Sequence, residues 1–280
     1  MNNHSISIIV LTHNAYTKKN SCIEPALYSL MNQNKVAFQI IVVNNNSTEE
    51  DTKKLTTFIN QHKSLNDIQL VNCNTCVAKA RNIGVKHALG NLIIFTEEDM
   101  IYVDNLTIFK IDTMAINNTY GYGATRLWTK IDWFEKNMIE ISVHVKMKDF
   151  KIFYENSGLP DPSIRNKSNE KYLVRSFIGN LGFIKKTAFR QIKGFPEQFI
   201  GYAVEDDAFS FLCYLAFGKP VILKDISVVH ISHFINQSSY NEYHRNLKIY
   251  HDLLNRHGYK SFHIGDLLYP EHAIDRPVLK

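Results

Sequence analysis

The first hundred residues alternate between short β-branched runs and amphipathic stretches. Residues 5–11 (SISIIVL) read as a buried strand, which Thr12, His13 and Asn14 end in a polar loop. Residues 24–33 place Ala26, Leu27, Leu30 and Met31 at helical spacing. A second buried strand is predicted over residues 38–43, running into Asn44-Asn45-Asn46-Ser47-Thr48, and a helix over 52–62. A third strand covers residues 68–71, and a helix over 77–89 meets Gly90 as its C-cap. Residues 91–95 (NLIIF) form a fourth strand, followed at once by Thr96-Glu97-Glu98-Asp99.

Strand and helix in alternation predict an α/β fold, a parallel sheet with helices on both faces. Ligands of such sheets bind at the carboxyl ends of the strands, where the polar clusters 12–14, 44–48 and 97–99 fall. The rhythm changes after Tyr102. Residues 117–127, rich in glycine and tyrosine, predict a strand pair or an edge. The polar stretch 155–169, with two prolines and no period, predicts a mobile loop. Strands are expected over 177–183 and 221–230, and helices over 186–193 and 205–217. Residues 240–256 set Tyr240, Tyr243, Leu247, Tyr250 and Leu254 on one face of a last helix, with Gly258 beyond it.

The chain has 280 residues, 45% hydrophobic and 21% charged, which excludes a disordered chain. Its net charge of +5 suits an anionic ligand, and no nucleic-acid partner is expected. No apolar run approaches the roughly 20 residues that cross a bilayer, so no transmembrane segment is expected. The start lacks a cationic region ahead of its apolar run, and no secretory leader is expected. Four scattered cysteines point to a reducing cytoplasm rather than a disulfide framework. Cys73 and Cys76 have no second pair at zinc-ligand spacing. Dinucleotide, P-loop and serine-hydrolase motifs are missing, which argues against those enzyme classes.

Three clusters remain. Glu97, Glu98 and Asp99 follow a buried strand directly and suit a hard divalent cation, Mn²⁺ or Mg²⁺, shared with a bound phosphate. A solvated turn or helix N-cap would explain them without a metal. Glu205, Asp206 and Asp207 open a helix, where acids are favoured by the dipole, or supply a general base to an acceptor hydroxyl. His230 and His233 end a late strand, and either imidazole could complete a carboxylate metal site or simply be a satisfied core or surface histidine. Trp128 and Trp133 could line an acceptor surface, although core packing is the commoner use of tryptophan.

Taken in order, SIIVLTHN, VVNNNSTE, CVAKARNIGVKHALGNLIIFTEED, GNLGFIKKTAFRQIKGFPEQFIGYAVEDDAF and VVHISH resemble the family 2 glycosyltransferases over residues 5–255. That resemblance implies an A-type glycosyltransferase fold, a Rossmann-like, mostly parallel central sheet flanked by helices, with a C-terminal amphipathic helix. It implies a nucleotide-sugar half (1–104), an acceptor half of the same domain (105–238) and a helical extension (239–280). The resemblance sets Thr12 and Asn14 beside the nucleoside, Asn44 on base or ribose, and Arg81 at the base pocket. Asp99 would bind the metal, with His230 as the remaining ligand. Glu97 would reach ribose or metal-bound water, and Glu98 would lie on the nucleotide side. Gly179 and Asn180 would border the transferred sugar. Asp206 would be the catalytic base, and Glu205 would hold the acceptor.

Two positions depart from the family's pattern. Asn44 stands where an aspartate is usual and brings no charge. Glu97 stands where the metal motif begins with aspartate, one methylene shorter. The implied activity is an inverting, metal-dependent transfer of a hexose-type sugar from a UDP-linked carrier. Its acceptor would be a carbohydrate, a lipid-linked sugar or another hydroxyl. The 155–169 loop would close over the site and exclude water. Peripheral contact with a membrane is compatible with the basic balance and aromatic last helix, with core packing the expected use of that helix. Two rivals stand beside this reading: a catalytically decayed nucleotide-sugar-binding module, and a sugar nucleotidyltransferase. The second lacks the glycine-rich loop expected after the first strand.

Overall fold

The computed structural model describes residues 5–17, 22–63, 67–102, 104–123, 126–128, 181–201, 203–223, 226, 228–231 and 239–260. The strands are β1 (Ile6–Thr12), β2 (Phe38–Asn45), β3 (Ile68–Cys73), β4 (Leu92–Glu97), β5 (Met100–Tyr102), β6 (Tyr120–Gly123), β7 (Arg126–Trp128), β8 (Leu181–Lys185), β9 (Val221–Leu223) and β10 (Val228–Ile231). The helices are α1 (Ile23–Met31), α2 (Glu49–His62), α3 (Val77–His87), α4 (Thr107–Ala115), α5 (Lys186–Gln191), α6 (Glu205–Phe217) and α7 (Ser239–Arg256).

Seven strands form one sheet in the order β3-β2-β1-β4-β8-β6-β9. Only β8 runs against the others. Three more, β5-β10-β7, form a small second sheet. The period of two in each strand divides the core. Ile6, Ile8, Val10, Ile40, Val42, Leu92 and Ile94 face α1, α2 and α4. Ile9, Ile41, Val43, Ile93 and Phe95 face α3, α5, α6 and α7. A sheet buried on both faces explains why β1, β2 and β4 read as unbroken apolar runs. Register keeps their carboxyl ends level: Thr12 lies opposite Asn44, Asn44 opposite Asn72, and Leu11 opposite Glu97.

Several elements differ from the sequence expectation. The strands β2, β3 and β4 run past their apolar stretches to Asn45, Cys73 and Glu97, because the backbone ladder continues through polar side chains. Helix α2 begins three residues early, because Thr48 caps it and accepts from the Asp51 amide at 3.2 Å. Helix α3 ends at His87, capped by Ala88 in an extended conformation and not by Gly90. Gly90 serves packing instead: its amide donates to Ser7 Oγ at 2.9 Å, and a Cβ there would lie 2.5 Å from the Ile6 carbonyl carbon. Residues 117–127 are no hairpin, since β6 joins the large sheet and β7 the small one. The run 221–230 divides likewise into β9, in the large sheet, and β10, in the small one. β8 begins at Leu181; residues 177–180 and the 155–169 loop lie outside the described residues.

Helix α7 buries Tyr250, Leu253 and Leu254 in the core of the α3 face, as its amphipathic spacing predicts. No described helix is long and apolar enough to cross a membrane.

Gly90→Ala should cost about 1–3 kcal/mol, because a methyl group there meets backbone that cannot rotate away. Urea unfolding measures this, and an unchanged midpoint would refute the packing role.

Candidate active site at the carboxyl ends of the strands

The loops after β1 and β2 are stitched together. Asn14 sits in the left-handed region (φ 52°), which asparagine tolerates better than most residues. Its amide donates to Ser47 Oγ at 2.8 Å, and its Oδ1 accepts from the Thr48 amide at 2.9 Å. His13 Nδ1 lies 2.9 Å from the Asn45 carbonyl oxygen. Asn44, expected against base or ribose, is buried and turned to the protein. Its Nδ2 donates to Thr52 Oγ1 at 3.0 Å and Asn72 Oδ1 at 2.9 Å, while Ser47 Oγ donates to its Oδ1. Asn45 and Asn46 hold the next loop through the Thr75 carbonyl at 3.0 and 2.8 Å.

Sequence reasoning missed Asp51, the buried anchor of this network. Its carboxylate accepts from the Tyr16 amide at 2.6 Å, the Thr17 amide at 3.1 Å, Thr17 Oγ1 at 2.6 Å and Thr48 Oγ1 at 2.9 Å. Burial pushes its pKa up, but these hydrogen bonds prevail and hold it below its ordinary 3.8. The signal was present as Thr48-x-x-Asp51, a capping pair at a helix start.

The second cluster centres on Arg81 of α3, whose side chain is 2% exposed. Its Nη2 donates to Glu97 Oε1 at 2.7 Å, and its Nη1 to Glu205 Oε1 at 2.8 Å and Asp206 Oδ1 at 3.0 Å. The guanidinium carbon lies 5.2 Å from the Phe195 ring centroid. Burial lowers the Arg81 pKa, but the charges of Asp206, Glu205 and Glu97 outweigh it and raise the value above the ordinary one. The helix motif Ala80-Arg81-Asn82-x-Gly84 serves three tasks. Arg81 meets the acids. Asn82 exchanges hydrogen bonds of 2.9 Å with both the carbonyl and the amide of Phe195. Gly84 lets the helix touch the sheet, since a Cβ there would lie 2.6 Å from Ile9 Cγ2.

The acids arrive from two elements. Glu97 ends β4, and Glu205 and Asp206 open α6 after an unusual turn. Gly201, Ala203 and Val204 all have positive φ there, 81°, 67° and 75°. A β-branched residue in that region is strained, and such strain gathers at functional sites. Of the pair, Asp206 is the more open, at 21% side-chain exposure against 9% for Glu205.

The remaining expected residues divide. Glu98 is buried and accepts from Thr12 Oγ1 and, at 3.0 Å, from the His13 amide, so it secures the β1 loop. Asp99 is buried at the β4–β5 turn. Antiparallel pairing sets His230 of β10 opposite Met100, one residue beyond Asp99. Among the described residues no three metal-ligating side chains converge. Glu97 is engaged by Arg81 and Glu98 by the β1 loop, while Asp99 offers buried carboxylate oxygens, the donor chemistry of a hard divalent ion. Gly179, Asn180, His233 and Trp133 lie outside the described residues.

A family model described as Glycosyl transferase family 2 matches residues 7–192. An uncharacterized glycosyltransferase of Rickettsia bellii is 30% identical over 113 residues, 40% of this chain and 15% of its own length. The chain thus spans a small part of that relative. S. aureus TarS 1-349 in complex with UDP-GlcNAc superposes with a TM-score of 0.59 at 16% identity, covering 88% of this chain and 65% of that one. The mannosyltransferase PcManGT from Pyrobaculum calidifontis, in complex with GDP-Man and Mn²⁺, gives 0.59 at 15% identity, covering 90% and 64%. These likenesses show the A-type glycosyltransferase fold.

Asp51→Asn tests the front network. Because the folded pKa of Asp51 is depressed, its stabilisation is present above the unfolded value near 4 and is lost as pH falls through the folded value. The variant should be less stable by about 1–3 kcal/mol at pH 7. That gap should close below about pH 4. A gap independent of pH would refute the assignment.

Proposed function

The chain belongs to glycosyl transferase family 2, and from that premise we propose that it moves a sugar from a nucleoside-diphosphate sugar to an acceptor hydroxyl, inverting the anomeric centre. The observation that carries this reading is the Arg81 cluster. One buried cation ties Glu97, at the end of β4, to Asp206, the more open acid of α6. Acids of the nucleotide side and the acceptor side are thereby fixed around one point, as a direct displacement requires.

Asp206 is the general base. As the acceptor oxygen bonds to the anomeric carbon, its proton passes to the Asp206 carboxylate. The anomeric C–O bond to the diphosphate breaks, and the nucleoside diphosphate leaves with that electron pair. Attack and departure are in line, so the configuration inverts. Glu205 holds the acceptor beside Asp206. Thr12, Asn14 and the 44–48 loop frame the nucleoside, with Asn44 acting through the loop it braces. Gly179 and Asn180 border the sugar. Asp99 and His230 would hold Mn²⁺ or Mg²⁺, which offsets charge on the leaving diphosphate. Residues 1–104 serve the nucleotide sugar and 105–238 the acceptor, with 239–280 as a C-terminal helical extension. UDP is the carrier this reading assigns, in line with a TarS structure in complex with UDP-GlcNAc and a GalNAc-T7 structure with UDP, whereas PcManGT is in complex with GDP-Man.

Thermal shift against a panel of nucleoside diphosphates, with Mn²⁺ and with chelator, tests the binding half. Saturation a hundredfold above the dissociation constant adds about 2.7 kcal/mol of stability, a visible shift. UDP with Mn²⁺ should give it, and no shift with any nucleotide would contradict the reading. Asp206→Asn should then lose about 10²–10⁴-fold in turnover while binding the nucleotide as before. Full activity in that variant would remove the base assignment. An inert wild-type chain that binds nucleotide would instead be a decayed module.

A further inference from the structure

The turn that aims Asp206 is strained, and a residue far along the chain holds it. Asn246 of α7 is fully buried, a polar side chain on the apolar face of an amphipathic helix. Its Nδ2 donates to the Ala203 carbonyl at 3.0 Å and to the Ile200 carbonyl at 3.2 Å. Arg245 Nη2 donates to the same Ile200 carbonyl. Gly201 lies under Glu242 so closely that a Cβ would fall 2.3 Å from its carboxyl carbon. Residues 242, 245 and 246 thus grip the segment 200–203 one turn before the acidic pair.

Strain explains why a grip is needed. Ala203 and Val204 sit at φ 67° and 75°, which neither side chain favours. Relaxation of the turn toward negative φ would rotate the start of α6. Two hydrogen bonds from one buried amide oppose that relaxation at its base. The Val204 carbonyl then accepts the first α6 bond, from the Ala208 amide at 3.0 Å, with Glu205 and Asp206 held inside that turn.

We propose that Asn246 is a positioning residue for Asp206, making the last helix a working part of the active site rather than only a cover for the core. This inference rests on Asp206 being the base.

The test compares the full chain with Asn246→Ala, Arg245→Ala and Asp206→Asn. Turnover of UDP-N-acetylglucosamine, or of GDP-mannose if that is the sugar nucleotide consumed, is read as nucleoside diphosphate released. Asn246→Ala should lower kcat at least about tenfold while KM for the sugar nucleotide stays within about twofold, because the Asn246 amide donates to the Ile200 and Ala203 carbonyls and not to the loops that frame the nucleoside. Arg245→Ala removes an exposed side chain and should shift kcat the same way, by less. Amide exchange at residues 203–208 should rise in both variants while exchange in β1, β2 and β4 holds. Wild-type kcat in either folded variant, or a matched rise in KM with kcat unchanged, overturns the proposal. Should Asn246→Ala not fold, Arg245→Ala decides alone. Asp206→Asn separates the two claims: if it stays active the base reading fails, and if it is dead while Asn246→Ala is fully active only the positioning claim fails.

Discussion

One buried guanidinium organises this molecule. Arg81 lies almost without solvent and faces Glu97, Glu205 and Asp206 at hydrogen-bond distance. A buried charge is costly unless paired, and removing a partner from such a group typically costs about 3–5 kcal/mol. Three carboxylates around one cation therefore fix three elements at once. Helix α3 must approach the sheet, which Gly84 allows. Strand β4 must reach Glu97 before it turns. Helix α6 must start where the Gly201–Val204 turn puts it. Phe195, held by Asn82, closes the aromatic side of the cluster and stacks on Phe209 at 3.9 Å between centroids.

The front of the sheet is built by different physics. There short polar side chains pair with backbone groups across the β1, β2 and β3 loops, and the network is mostly uncharged apart from Glu98 and Asp51. A loop whose amides and hydroxyls already satisfy one another keeps its shape without a ligand, so little ordering remains when a nucleotide arrives. Asn44 illustrates the consequence. It brings no charge to the site, and its amide braces the loop from within.

The parallel half of the fold was readable because strands buried on both faces leave unbroken β-branched runs. Their ends were not, since Asn44, Asn45, Cys73, Thr96 and Glu97 continue the ladder while looking like loop residues. In the second half, periodicity does not say which sheet a strand joins, and the runs at 117–127 and 221–230 each supply two sheets. The acidic pair and Arg81 were found as motif members, but their contact spans more than a hundred residues of sequence and only the fold reveals it. Asp51 and Asn246 were overlooked for one reason: a buried polar residue on a helix resembles a solvated one until its partners are known.

The central claim is that Arg81 is energetically coupled to the acids on both sides of it. A double-mutant cycle measures this directly, pairing Arg81→Met with Asp206→Asn and with Glu97→Gln and following urea unfolding at pH 7. Contacting charges in one network give interaction energies of about 0.5–3 kcal/mol, and both pairs should exceed about 1 kcal/mol here. Additive effects in both cycles, within about 0.3 kcal/mol, would mean that the cluster does not hold the site together.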